Sequence, residues 1–140
     1  MFIAQGRNNP DTAIITNPGY NTVLPEGKSI NSLGGWERIS PPNTEPVFAY
    51  TDTIDGVSVS VSQQPLPESF KADVTGKVSE LAEKFNATKK ITADAVTVYL
   101  GTSAQGPQSA IFTKDNLLIL IKSQENIKDD AWANYIKSLR

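Results

Sequence analysis

The 140-residue chain contains no cysteine and no histidine. The first absence excludes disulfides, a thiolate nucleophile and cysteine-based zinc sites; the second removes the usual general base and the commonest transition-metal ligand. Few enzyme mechanisms survive both deletions, and no cofactor or metal is expected. The lack of cysteine is neutral about compartment, because a reducing cytosol and a bacterial cell surface both tolerate it. Positive charge is also scarce. The formal net charge is −2, and the only basic residues before Glu68 are Arg7, Lys28 and Arg38. A nucleic-acid-binding protein needs a basic patch, so nucleic acid is not an expected partner. Long apolar runs are missing as well: the longest, Leu117 to Ile121, has five residues, against about 20 for a membrane-spanning helix. Met1-Phe-Ile-Ala4 is too short for a signal peptide. Leading into a polar Gln5 to Asp11 stretch, it fits either an ordinary cytosolic start or the outer end of a membrane anchor preceding Met1.

What is present is unevenly distributed. Residues 1–31 are dominated by Asn, Thr, Pro and Gly, whereas Trp36 to Leu139 carries the dense apolar segments. This predicts a flexible lead-in over 1–31 and a single domain over 32–140. Across Pro25 to Gly35, Ile30 and Leu33 predict one helical turn or an ordered loop ended by Gly34-Gly35. Trp36 to Ser40 reads as a short strand stopped by Pro41-Pro42. Val47 to Thr51 and Val57 to Ser62 read as strands joined at Asp55-Gly56, a dipeptide suited to a tight hairpin turn. In the second of these, Val57, Val59 and Val61 alternate with Ser58, Ser60 and Ser62, predicting one core face and one watered face. Pro65-Leu-Pro67 is expected to open a helix ending near Asn86, with Phe70, Val74, Val78, Leu81 and Phe85 forming one apolar stripe. Lys89 to Thr92, Val96 to Leu100, Ser109 to Thr113 and Leu117 to Ile121 follow as strands, the last apolar on both faces and therefore central. Asp129-Asp130 is expected to cap a final helix carrying Trp132, Tyr135, Ile136 and Leu139. The fold class is thus α+β: a twisted, mainly antiparallel sheet of about six or seven strands packed by two helices, in the order strand, strand, strand, helix, four strands, helix.

The stretch Tyr99-Leu-Gly-Thr-Ser-Ala-Gln-Gly-Pro-Gln-Ser-Ala-Ile-Phe112 suggests chemistry. Gly101 and Gly106 have the spacing of a phosphate-binding loop, but the required Lys and following helix are replaced by Pro107, Gln108 and a strand. A nucleophile elbow would need one residue between Ser103 and the second glycine, a helix, and a base. Two residues intervene, a strand follows, and the only conceivable bases are Lys114 or Lys122. A hairpin loop over 102–108 is the better reading. Its polar Thr102, Ser103, Gln105 and Gln108 are the candidate contact residues of an exposed loop.

Other candidates have plainer alternatives. Asp52 to Gly56 lacks the alternating oxygens and closing Glu of a calcium loop. Glu37, Glu45 and Asp52 could converge as paired carboxylates for glycoside hydrolysis, although scattered solvated acids are the ordinary case. Trp36 and Trp132 could be stacking platforms, but their apolar neighbours favour core packing. Asn86-Ala-Thr88 fits a glycosylation acceptor or simply a helix end. Gln63 to Pro67 reads as a connector, with an extended interaction segment as the alternative.

Taken together, Val57 to Gln64, Val98 to Gln124 and Asp129 to Leu139 resemble the extracytoplasmic domain of small, uncharacterised membrane-anchored proteins of Saccharibacteria and related candidate-phylum bacteria, over about Tyr20 to Leu139. A wider likeness is to photosystem oxygen-evolving-subunit-like and anti-sigma or lipoprotein-carrier-like domains, carried by Gly35-Trp36, the helix ending at Asn86, the 109–121 hairpin and Ser138-Leu139. The resemblance implies location and no catalytic residues: an extracytoplasmic, membrane-tethered domain at the cell surface, with a cytoplasmic protein as the alternative. The function this implies is a non-enzymatic binding or sensory domain for a protein or cell-surface ligand, touching the membrane only through its anchor. The alternatives are a carboxylate-based hydrolase of cell-wall glycans and a soluble scaffold or assembly subunit.

Overall fold

The computed structural model describes residues 15–140. Seven strands form one open, fully antiparallel sheet in the order β1-β2-β3-β7-β6-β5-β4. They are β1 (Glu37–Arg38), β2 (Phe48–Ile54), β3 (Val57–Pro65), β4 (Lys89–Ala93), β5 (Val96–Thr102), β6 (Gln108–Lys114) and β7 (Leu117–Ser123). Helix α1 (Val74–Lys84) follows β3, and α2 (Asp129–Lys137) follows β7. The element order is the one expected from the sequence, and the apolar β7 is the middle strand of the seven.

The hairpin turns follow from residues that accept a left-handed backbone. Asp55 and Gly56 have φ of 53° and 81°, and Asp115 and Asn116 have 52° and 63°. Positive φ at both central positions matches the right-handed twist of the flanking strands.

Each face of the sheet has its own core. Val59, Val61, Ile119, Ile121, Phe112, Leu100 and Val98 point to one side, where Trp132, Ile136 and Leu139 cover them. On the other side Tyr99, Ile111 and Leu118 meet Val78 and Ala82 of α1. Both tryptophans are packed inside, Trp36 4% and Trp132 0% exposed, so neither is a surface platform.

Several local expectations are corrected. The helix does not open at Pro67: Glu68–Phe70 is a single 3-10 turn, and α1 begins at Val74. Asp73 is its N-cap, the carboxylate accepting the Gly76 amide at 3.1 Å, which satisfies one of the free donors of the first turn. Phe70 therefore packs from outside the helix, and Phe85, its C-cap, is 39% exposed. Asn86 follows with φ 55°, the left-handed residue that ends a helix. Asp129 and Asp130 do not cap α2. Lys128 occupies that position without a side-chain bond, and the two acids fill the first turn, where the helix dipole favours negative charge. The short first strand keeps only Glu37 and Arg38 in the sheet.

The serine face of β3 is only partly watered. Ser58 is exposed, but Ser62 is buried and its hydroxyl donates to the Leu120 carbonyl at 3.0 Å. Gln63, expected in a connector, continues the strand in phase with Val59 and Val61 and is fully buried. Its side chain clasps the backbone of Val23, Oε1 accepting the amide at 3.0 Å and Nε2 donating to the carbonyl at 2.7 Å. The Tyr20 hydroxyl donates to the Gln63 carbonyl at 2.6 Å. Of the segment read as a lead-in, 1–14 lies outside the described residues. Within the remainder, Val23 is buried in the core, Leu24 exchanges backbone hydrogen bonds with Arg140, and Ile15 bridges to Trp36.

Candidate functional site

The Gly-rich stretch builds one wall of a groove. The Ser103 amide donates to the Pro107 carbonyl at 2.8 Å and the Gly106 amide to the Ser103 carbonyl at 3.1 Å, closing a compact turn between β5 and β6. Thr102, Ser103, Ala104 and Gln105 are exposed on it. The opposite wall is the C-terminal end of α1, Phe85 and Asn86, and Ser109 and Lys122 also line the groove. Its volume is about 310 Å³. Gly101 allows the walls to meet: a Cβ there would lie 2.9 Å from both Ala87 Cα and the Asn86 carbonyl oxygen. The glycine of the supposed phosphate loop thus serves a close backbone approach.

Gln108 borders the groove but does not stand exposed on the loop as expected. It is 6% exposed, and its side chain is a buried junction. Oε1 accepts from the Ile127 amide at 2.6 Å and from the Trp132 indole at 2.9 Å, while Nε2 donates to the Thr102 hydroxyl at 2.9 Å. The reason is strand phase. Gln108 shares the face of Ala110 and Phe112, which is the α2 side of the sheet. Thr102, Ser103 and Gln105 keep exposed positions; only Thr102 is tied inward, by Gln108.

The ladder registers add a feature that sequence reading missed. Thr51 lies opposite Ser60, Ser60 opposite Lys122, Lys122 opposite Ser109, and Ser109 opposite Gly101. Directly opposed residues share a sheet face, so these five form one row across β2, β3, β7, β6 and β5, spanning about 19 Å at the usual strand spacing. Helix α1 lies over β5 and β6 and makes no contact with β2 or β3. Thr51 and Lys122 are exposed; Ser60 and Ser109 are half-buried. The row runs into the groove, which shares Ser109, Lys122 and Gly101 with it.

Lys122 is the only charge in the row. Its ammonium sits 5.9 Å from the Phe85 ring centroid, within cation–π range, and it makes no ion pair among the described residues. The sequence signal was present. Lys122 follows Leu118 and Leu120 at strand spacing, so the α1-side face of β7 turns polar there, and Thr51 and Thr53 alternate in the same way as the serines opposite them.

Comparisons with known protein families, curated proteins and solved structures returned no match.

The nucleophile and carboxylate candidates are placed as follows. Ser103 and Lys122 line the same groove but share no hydrogen bond, and a serine nucleophile needs its base within bonding reach. Lys114, at the far end of β6, donates to the Ile136 carbonyl at 2.9 Å, and burial lowers its pKa. Glu37 pairs with Ala49, one residue from Tyr50 on the other face, so it lies across the sheet from Asp52. Glu45 lines a separate groove with Gln64 to Glu68 and Lys71. Asp52 is engaged throughout: Oδ1 accepts from Lys28 Nζ at 2.7 Å and the Thr53 amide at 2.8 Å, and Oδ2 from the Tyr135 hydroxyl at 2.9 Å. Tyr50 lies 2.9 Å from the Tyr135 oxygen; since Tyr135 gives its one proton to Asp52, Tyr50 is the donor of this pair. Burial, above all, raises both phenol pKa values, and Asp52 raises them further. The two hydroxyls tie α2 to β2, and the Lys28–Asp52 ion pair ties the 25–31 segment to it.

Proposed function

We propose that the chain is a non-enzymatic, surface-exposed binding domain that contacts its partner through the groove between Phe85-Asn86 and the 102–107 turn, extended by the polar row. The observation that carries this reading is the continuity of groove and row through Lys122 and Ser109. A partly exposed aromatic, hydroxyls, and one cation without an ion pair among the described residues, along a single track, are recognition chemistry: apolar area plus a few convergent polar groups. The engagement of Asp52 and the spread of Glu37 and Glu45 weigh against the two-carboxylate hydrolase. The resemblance to extracytoplasmic domains supports a tethered position at a bacterial cell surface.

The test is co-sedimentation of the purified chain with isolated bacterial cell envelopes. Wild-type protein is expected to be retained, and a Phe85→Ser, Ser103→Ala, Ser109→Ala variant with an unchanged circular dichroism spectrum is expected to stay in solution. Equal retention of both would remove the groove as the contact surface.

A further inference from the structure

Resting on the reading of the groove and row as a binding track, we infer that its ligand is a carboxylate-bearing glycan, whose acid group is held by Lys122 between Ser60 and Ser109 and whose sugar face lies against Phe85. Five observations select this class. The row is lined by hydroxyls, which both donate and accept and so suit a polyhydroxylated chain. Its accessible part, Thr51 to Ser109, is linear and about 14 Å long at ordinary strand spacing, the shape of an extended oligosaccharide and not of a compact metabolite. The backbones at Ser60, Lys122 and Ser109 are already paired on both sides, so a peptide could not add to the sheet along the middle of the row, as strand addition needs an edge. Lys122 is exposed and makes no ion pair among the described residues. Among the strand residues on this face the carboxylate is Glu37, three strands away, about 14 Å at the spacing of neighbouring strands.

The anion is a carboxylate and not a phosphate because of what else faces it. Phosphate sites are built from helix N-termini and runs of free backbone amides. The helix end at this groove is the C-terminus of α1, where the dipole disfavours added negative charge. The two oxygens of a carboxylate, divided between one ammonium and two flanking hydroxyls, match this set without those amides. One cation is also too few for a nucleic acid, whose affinity comes from many phosphate contacts.

The test is calorimetric titration with galacturonic acid oligomers and their neutral methyl esters, alongside amide chemical-shift mapping. The acid form is expected to bind and to shift the amides of Thr51, Ser60, Ser109 and Lys122. The ester is expected to bind about tenfold more weakly, the scale of one charge-assisted hydrogen bond. Lys122→Gln is expected to lose that preference while melting as the wild type does, and Lys122→Arg to keep it. Equal affinity for acid and ester, no effect of Lys122→Gln, or preference for a glycerol-phosphate polymer would overturn the inference. If neither oligomer binds but envelopes still retain the chain through the groove, the ligand class is wrong while the binding-domain reading stands. If envelope retention also fails, both fall.

Discussion

The indole N–H of Trp132 donates to the side-chain oxygen of Gln108 at 2.9 Å, and the same oxygen accepts the Ile127 amide at 2.6 Å. One amide at the start of β6 therefore fixes the entry to α2 and its largest buried side chain. It also holds Thr102 from below, linking the inner core to the groove wall.

Replacing Gln108 with Leu is expected to leave two buried donors without a partner. Each unsatisfied buried group costs about 1–3 kcal/mol, so urea unfolding should show a destabilisation of about 2–6 kcal/mol. An unchanged m-value would show that the loss is in stability and not in the unfolded state. A midpoint equal to that of the wild type would show that water replaces the glutamine.

Gln63 performs the corresponding task for the 20–25 segment, through its two hydrogen bonds to Val23. In Gln63→Leu the side chain fills the core position but leaves the Val23 amide and carbonyl unpaired. Hydrogen exchange should accelerate at Val23 before it does at Ile119 or Ile121. Parallel acceleration at all three would mean that the segment opens only with the whole fold.

Gly101→Ala puts a methyl group where Ala87 Cα and the Asn86 oxygen already stand. The end of α1 must retreat, and overpacking of this kind costs about 1–3 kcal/mol. Thermal melts should show the loss, and the amide shifts of Phe85 to Ala87 should move. In contrast, Ser103→Ala with Gln105→Ala changes only exposed side chains and should alter stability by less than about 0.5 kcal/mol.

The tyrosine pair predicts a pH dependence with a definite sign. Both Tyr50 and Tyr135 have pKa values raised in the folded protein above the ordinary 10.0. Above that pH the unfolded chain releases these protons while the folded protein keeps them. Their contribution is therefore full below pH 10.0 and falls as the pH rises toward the folded values, by up to about 1.4 kcal/mol per pH unit for each group. Urea unfolding followed between neutral pH and pH 11 should fall less steeply in Tyr135→Phe than in the wild type. Identical slopes would show that Tyr135 titrates at its ordinary value in the folded state.

Much of the fold was legible because the signals are local. Alternation in Val57 to Ser62, the apolar run of β7 and the Asp-Gly turn act within a few residues, and the order of nine elements follows from such signals. The start of α1 was misread for a local reason as well. Phe70 happens to sit at helical spacing from Val74, and periodicity cannot tell a residue on the helix from one folded back beside it.

The candidate site divides in the same way. The loop at 102–107 was visible from its glycines and polar residues. The inward turn of Gln108 was not, because a loop boundary shifted by a single residue sends a strand side chain to the other face. Phe85 looked like core because its stripe was counted without knowing where the helix would end.

By itself, then, the sequence determined the class of fold, the sites of the turns, the central strand and the chemistry that a chain without cysteine and histidine cannot perform. Only the tertiary structure decided which residues stand side by side. The row of Thr51, Ser60, Lys122 and Ser109 draws on four strands from distant parts of the chain, aligned by ladder register, and the groove closes only where Gly101 meets the backbone of Ala87. Long-range pairing is set by the summed burial of two cores on opposite faces of one sheet, a quantity that no short window of residues contains.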